Sequence, residues 1–393
     1  MNLFKSIITG GKDQTIKVST RSFKLKFSID CTKTLPDSVC PSIRSLCLSN
    51  DNKKLLLGTY GSEIYQMTSS GSLSESTTFS PASCFMNGHY TPNKQWTNEV
   101  WGLAPFHKGD LYATSSDDGT LRIWSSLERK QLRFIRTTLN NAKTETPLDK
   151  QTQDLQDSVK GRAIDISQDD KLIAVGFKDG FVKIYDSESL EQTLSFKNAK
   201  EWISDLKFSP DNNLLAVGSH DNAIYLYSIP NFKKLFVMNK HSSYITHLDW
   251  SENSMNLHSN CGAYELLFWD ALSGKQLPGG ASALKDEQWA SWTCVLGFPV
   301  QGIWPVCADG TDINYVDRSK KKHPKGYYLL ASGDDFGKVR ILKYPCILKS
   351  SDAVSGAGHS SHVPCVKWSE GDEFLFSVGG EDNCVFQWVV KKK

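Results

Sequence analysis

The run Ala113-Thr114-Ser115-Ser116-Asp117-Asp118-Gly119-Thr120-Leu121-Arg122-Ile123-Trp124 decides the fold. It joins a small, apolar stretch to a polar turn at Asp118-Gly119 and then to a stretch that alternates with period two. Such alternation puts successive side chains on opposite faces of a strand, and Asp-Gly is a hairpin turn signal. Two antiparallel strands are therefore expected. The phrase returns at 7–18, 56–65, 174–185, 216–227, in degenerate form at 258–269, and at 331–342 and 377–388. Aligned on the turn, the copies fall at 13, 61, 118, 179, 221, 263, 336 and 382, with a shortest interval of 42 residues. That period matches the ~40–45 residues of a four-stranded propeller blade, with longer intervals as loop insertions.

A further strand precedes most copies, starting near Ile43, Glu99, Ala163, Ile203, Ile245, Trp292 and Pro364. These seven are expected as the innermost strands of their blades. Outer strands follow the phrase, as at 131–135 and 193–196. The chain is thus expected to be all-β, a β-propeller of four-stranded antiparallel blades, with seven blades favoured over eight. An eight-fold ring would leave one blade without its inner strand and another without its outer one, and unpaired edges are a liability. In the seven-fold ring, residues 23–28 serve as the outer strand of the final blade, so that residues 23–393 form one propeller. Residues 1–22 then hold a leftover strand pair, with residues 5–19 expected to pair with an upstream propeller or blade.

The phrase resembles the WD repeat. In that family a Trp, a Ser or Thr, an Asp and a His form a buried hydrogen-bond network in each blade. Trp124, Ser115 and Asp118 fit it, with His89 as the candidate fourth member. In the last copy Trp388, Asp382 and His359 fit, while Gly379 stands where the hydroxyl is expected. Because these Ser/His/Asp sets recur with the period, they are read as blade structure and not as catalytic triads.

Composition narrows the function. The 393 residues carry 45 Lys and Arg against 43 Asp and Glu, and 39% are hydrophobic. That supports a sizeable core and argues against a protein that grips a polyanion by bulk charge. Aromatic residues follow strand periodicity, so no nucleic-acid stacking platform is expected. No run of about 18 apolar residues is present, so no membrane span is expected. Residues 1–10 do not read as a secretion signal, which points to the cytosol. The ten Cys contain no Cys-x-x-Cys pair, so neither metal nor cofactor is expected, and Cys47, Cys294 and Cys365 are read as small buried hydrophobes. No phosphate loop, nucleophile elbow or metal-spaced His/Cys set occurs, so the chain reads as a non-enzyme. Residues 137–160 are polar and read as a surface loop. Arg318, Lys320, Lys321, Lys322 and Lys325 form a basic segment that is a candidate partner contact. Trp101 and Trp250, on inner strands, are expected in the core between blades.

The stretch 289–314, Trp-Ala-Ser-Trp-Thr-Cys-Val-Leu-Gly-Phe-Pro-Val-Gln-Gly-Ile-Trp-Pro-Val-Cys-Ala-Asp-Gly-Thr-Asp-Ile-Asn, is no generic blade. With Glu99-Val100-Trp101-Gly102-Leu103-Ala104 and Ser360-Ser361-His362-Val363, it resembles the echinoderm microtubule-associated-protein-like family, in the second propeller of its tandem propeller domain. The resemblance implies a cytoplasmic, cytoskeletal scaffold on microtubules, cilia or flagella included. Its implied partners are tubulin or microtubule-associated proteins, met through propeller faces and loops. The alternative is a general adaptor that takes a peptide at the propeller pore.

Overall fold

The computed structural model describes residues 6–35, 38, 40–69, 79–80, 82–90, 98–137, 160–229, 231–305, 307–349 and 351–390. Nearly all of the insertion expected at 137–160 lies outside them. The chain divides into two compact units, Met1–Trp96 and Thr97–Lys393. Among the described residues the regular structure of both is almost entirely antiparallel strand, in eight sheets.

The first unit holds two sheets. Ile7–Gly10, Thr15–Ser19 and Leu25–Asp30 make a three-stranded one, and Ile43–Leu48, Lys54–Thr59, Glu63–Thr68 and Ser83–Asn87 a four-stranded one. Ile16, Ile43, Leu55, Leu57 and Met67 are buried between them. Here the expectation for residues 23–28 changes. Leu25–Asp30 pairs with Thr15–Ser19, with Ile16 opposite Ile29 and Val18 opposite Phe27. The short connection at 20–24 makes this local pairing the nearest one available, so the strand joins the hairpin instead of leaving it as a pair.

The second unit holds six sheets. Its inner strands are Val100–Pro105, Gly161–Ile166, Ile203–Phe208, Ile245–Trp250, Ile313–Arg318 and Cys365–Trp368. Five sheets have four strands and the last, ending in Val385–Val389, has three. Consecutive inner strands pack together from the first to the fourth and from the fifth to the sixth, and Cys365–Trp368 packs back on Val100–Pro105. Between the fourth and fifth sheets His247 Nε2 lies 2.8 Å from the Asn314 carbonyl oxygen. The six sheets therefore close a cycle, a WD-repeat β-propeller unit of six blades where seven were expected. The count falls by one because the inner strand at Ile43 belongs to the other unit. The segment at Trp292 is not a strand, and Ile313–Arg318 takes its place.

Three repeated devices hold the blades together. Glycines on second strands seat the next blade's β-branched residue: a Cβ on Gly218 would stand 2.6 Å from Ile245 Cγ2. Carboxylates on inner strands reach the backbone of the next element. Asp165 accepts from Phe208 N, Asp205 from Leu248 N and Asp317 from Trp368 N, each at 2.8 Å. The turn after each inner strand is clasped by its neighbour as well. Asp170 accepts from His107 N and Lys108 N, Asn212 from Gln168 N, and Asp372 from Lys320 N and Lys321 N. Asp170, Asn212 and Asp372 have φ of 63°, 62° and 55°, a backbone that Asp and Asn tolerate better than most residues.

Candidate functional site

Because every inner strand starts its blade, the N-terminal ends of these strands gather at one mouth of the pore and the C-terminal ends at the other. The C-terminal mouth is ionic. Lys367 Nζ lies 3.1 Å from Asp317, and Lys207 Nζ lies 3.8 Å from both Asp165 and Asp205. These groups are largely spent on one another and on the backbone, which suits bracing more than capture.

The N-terminal mouth is built differently. A cavity of about 370 Å³ opens there, lined by Leu103, Ala163, Ile203, Ile245, Val295 and Cys365 among others. Around it runs a chain of planar groups. His362 and Trp101 have ring centroids 5.7 Å apart. The Arg162 guanidinium lies 4.1 Å from the Trp101 ring centre and 4.8 Å from that of Trp202. Trp202 stacks on His220 at 5.0 Å, and His220 on Tyr244 at 4.6 Å. Arg162 is fixed from behind by Asp117 at 2.9 Å. Burial pushes the Asp117 carboxyl up to about 6 in spite of that cation. Below, burial pushes His247 down to about 4, so its imidazole is neutral at physiological pH.

Sequence reasoning missed this rim. Trp101 was expected in the core, and it stands at the mouth instead; Trp250 is buried as expected. The available signal was positional: Trp101, Arg162, Trp202, Tyr244 and His362 all sit at or just before the start of an inner strand. In the family-like stretch Trp289 and Trp292 are buried, while Phe298 and residues 309–311 are exposed. Trp289 stacks on His258 at 3.8 Å, Trp292 meets both edge-on, and Asp249 accepts from Trp292 N at 2.5 Å.

The blade networks take shape around hydroxyls. In the last blade Trp388 Nε1 donates to Ser377 Oγ at 2.8 Å, His359 Nε2 lies 2.7 Å from the same oxygen, and His359 Nδ1 lies 2.9 Å from Asp382. The hydroxyl sought at Gly379 is thus two residues earlier, at Ser377. In the first blade Trp124 Nε1 donates to Thr114 Oγ1 at 2.7 Å. Ser115 Oγ is buried without a hydrogen-bond partner among the described residues, so Thr114 replaces Ser115 in that role. Asp118 accepts from Thr120 and pairs with Arg122 at 3.1 Å. His89 is buried in the first unit. The degenerate copy is complete: Trp269 donates to Ser259 at 2.8 Å, His241 Nε2 lies 2.6 Å from Ser259, and Glu265 stands where Asp is usual.

His241, Cys261 and Glu265 have donor atoms within 4.8 Å of one another, a spacing that a metal ion could bridge. Glu265 accepts from Ser242 N, Ser242 Oγ and Cys261 Sγ and lies 3.2 Å from His241 Nδ1, so these groups serve the blade. Cys294 and Cys365 are buried, whereas Cys47 is exposed because its side chain falls on the outward face of Ile43–Leu48. Arg318 is buried too: it donates to the Trp289 carbonyl at 2.6 Å and lies 4.8 Å from the Tyr328 ring centre. That removes it from the candidate contact. Lys320, Lys321, Lys322 and Lys325 remain exposed. Among the described residues no helix is long and apolar enough to cross a membrane.

Closed antiparallel blades with Trp–Ser–His–carboxylate networks define the class as a WD-repeat β-propeller. The family described as the echinoderm microtubule-associated protein second β-propeller matches residues 100–390, and the chain belongs to it. It is 34% identical over 322 residues to echinoderm microtubule-associated protein-like 4 of Homo sapiens, covering 79% of this chain and 29% of that protein. With the human protein-like 1 it shares 36% over 310 residues, 78% of this chain and 35% of the relative. With the 77 kDa echinoderm microtubule-associated protein of Lytechinus variegatus it shares 31% over 395 residues, 99% of this chain and 52% of the relative. The chain thus spans about half or less of these relatives' own lengths.

Proposed function

We propose that the chain is a non-enzymatic, microtubule-associated scaffold of the cytoskeleton, meeting tubulin or microtubule-bound proteins through its propeller faces and loops. The observation that carries this reading is the family match across residues 100–390, whose curated relatives are named for microtubule association. Local structure supports it. The backbone of the basic turn is held at Lys320 and Lys321 by Asp372, which fixes where the turn displays its exposed lysines. The near-neutral net charge of +2 means that attraction to an acidic surface must come from such patches. The His–Ser–carboxylate sets fit a scaffold better than a hydrolase, since each Ser is held by a Trp and is not offered to a substrate.

The test is co-sedimentation of the purified chain with taxane-stabilised microtubules across a salt series. Binding is expected at low salt and should weaken as exposed charges are screened. Replacing Lys320, Lys321, Lys322 and Lys325 together with Ser should reduce the bound fraction. Recovery of the wild-type chain in the supernatant at every salt concentration would overturn the proposal.

A further inference from the structure

We propose that His241, Cys261 and Glu265 of the fourth blade form a binding site for a borderline-soft divalent cation, Zn²⁺ being the ion their chemistry fits best. The proposal goes beyond microtubule association and does not depend on it. The donor atoms of the three side chains lie within 4.8 Å of one another. Ligands at about 2.0–2.3 Å from a tetrahedral ion stand roughly 3.5 Å apart, so small side-chain adjustments suffice. His241 Nδ1 and Cys261 Sγ already converge on one oxygen, Glu265 Oε2, at 3.2 and 3.1 Å. An imidazole, a thiol and a carboxylate make a donor set that suits Zn²⁺ and does not suit Mg²⁺ or Ca²⁺, which take oxygen ligands. Thiolate and carboxylate together also carry the two negative charges that a divalent ion neutralises.

The last blade shows what is unusual about the fourth. Its network is Ser377, His359 and Asp382. Gly379 and Cys261 occupy the same place, two residues after the network serine. A Cβ on Gly379 would collide with Asp382 Oδ1 and stand 2.5 Å from His359 Nδ1. A side chain at this position is thus aimed between imidazole and carboxylate. The fourth blade puts a thiol there and carries its carboxylate on Glu265, one methylene longer than Asp. Bracing alone needs neither change, since the last blade is braced without them. His241 Nε2 is held by Ser259 Oγ at 2.6 Å, which turns Nδ1 toward Glu265. An outer hydrogen bond of this kind orients metal-bound histidines. His241 and Cys261 are buried, whereas the Glu265 side chain is 34% exposed, which leaves an ion a way in and a place for water as fourth ligand. Hydrogen-bonded to one another, the three groups brace the blade; around an ion, the same groups tie the loop at His241 to the hairpin at 261–265.

The experiment strips the full chain with a chelator and titrates it with Co²⁺, then with Zn²⁺. Equimolar Co²⁺ should produce a thiolate-to-cobalt charge-transfer band, and Zn²⁺ should remove it. Cys261→Ser should abolish the band, and Glu265→Gln should weaken Zn²⁺ binding at least about tenfold. Cys384→Ser, in the last blade, should change neither. Zinc-edge X-ray absorption of the wild-type chain needs no variant, and one sulfur beside nitrogen and oxygen neighbours is expected. A missing band, a band that survives in Cys261→Ser, or a zinc shell without sulfur would overturn the proposal.

Discussion

Ser377 carries more of the last blade than its size suggests. One hydroxyl satisfies the indole of Trp388 and a ring nitrogen of His359, which in turn meets Asp382. Removing it leaves two buried polar groups unpaired, a cost of about 1–3 kcal/mol for each orphaned partner. Ser377→Ala should lower the urea midpoint accordingly. Ser115→Ala removes a hydroxyl that has no partner, so its midpoint should stay within about 0.5 kcal/mol of wild type. The reverse ranking would return Ser115 to the network. Glu265 makes a second residue-scale prediction. Hydrogen bonds from Ser242 N and Oγ, with Cys261 and His241, bring its carboxyl down to about 2 from an ordinary 4.5. A depressed carboxylate stabilises fully above its unfolded value and loses that contribution as pH falls through the folded one. Between pH 4.5 and 2, wild type should therefore lose thermal stability more steeply than Glu265→Gln, and parallel curves would contradict the assignment.

At the scale of elements, the blades were legible because most phrases end on an aromatic residue at a fixed distance after the polar turn. The hydroxyl register was less so. Thr114 and Ser115 are adjacent and chemically alike, and a strand's two faces differ by one residue. Only the pairing of Trp124 with Tyr112 across the ladder decides which hydroxyl faces the indole. The inner strand placed at Trp292 failed for another reason. The segment imitates a strand by donating, from Trp292 N to Asp249, into the carboxylate link that elsewhere joins inner strands. Its Trp289 bridges Ser251, and Arg318 N donates to the Ser291 carbonyl, so it is wedged between the fourth and fifth blades. Density of Trp announced a special segment without saying whether it was strand or filler. The pore rim was hidden because its residues are spread over 261 positions, from Trp101 to His362, and each alone passes for a core aromatic. The turn clasps from Asp170, Asn212 and Asp372 escaped as well, since they join residues of neighbouring blades with no pattern between them.

For the molecule, what matters is that the first and last blades of the second unit pack against each other. Val100, Leu103 and Tyr112 of its first blade share one buried cluster with Val363, Cys365, Trp368 and Phe376 of its last. Tyr112 stacks on Phe376 at 4.3 Å, and Gln387 Nε2 donates to the Ser126 carbonyl at 3.0 Å. A cycle closed by side-chain packing should behave as one cooperative body, because breaking any junction exposes two apolar faces at once. Residues 97–393 produced alone should therefore show strand-rich circular dichroism and a single calorimetric transition. Ending the chain at residue 357 deletes the last blade and uncovers Val100, Leu103 and Tyr112. That shorter chain should bind hydrophobic dye and lose the sharp transition. Phe376→Ala in the 97–393 chain tests the same junction more gently. It should cost about 3–5 kcal/mol and still leave one transition, since the remaining contacts across the seam persist. Two separate transitions in the unmutated 97–393 chain, or a 357-residue chain as cooperative as the full one, would mean that the six blades stand as a row and not as a ring.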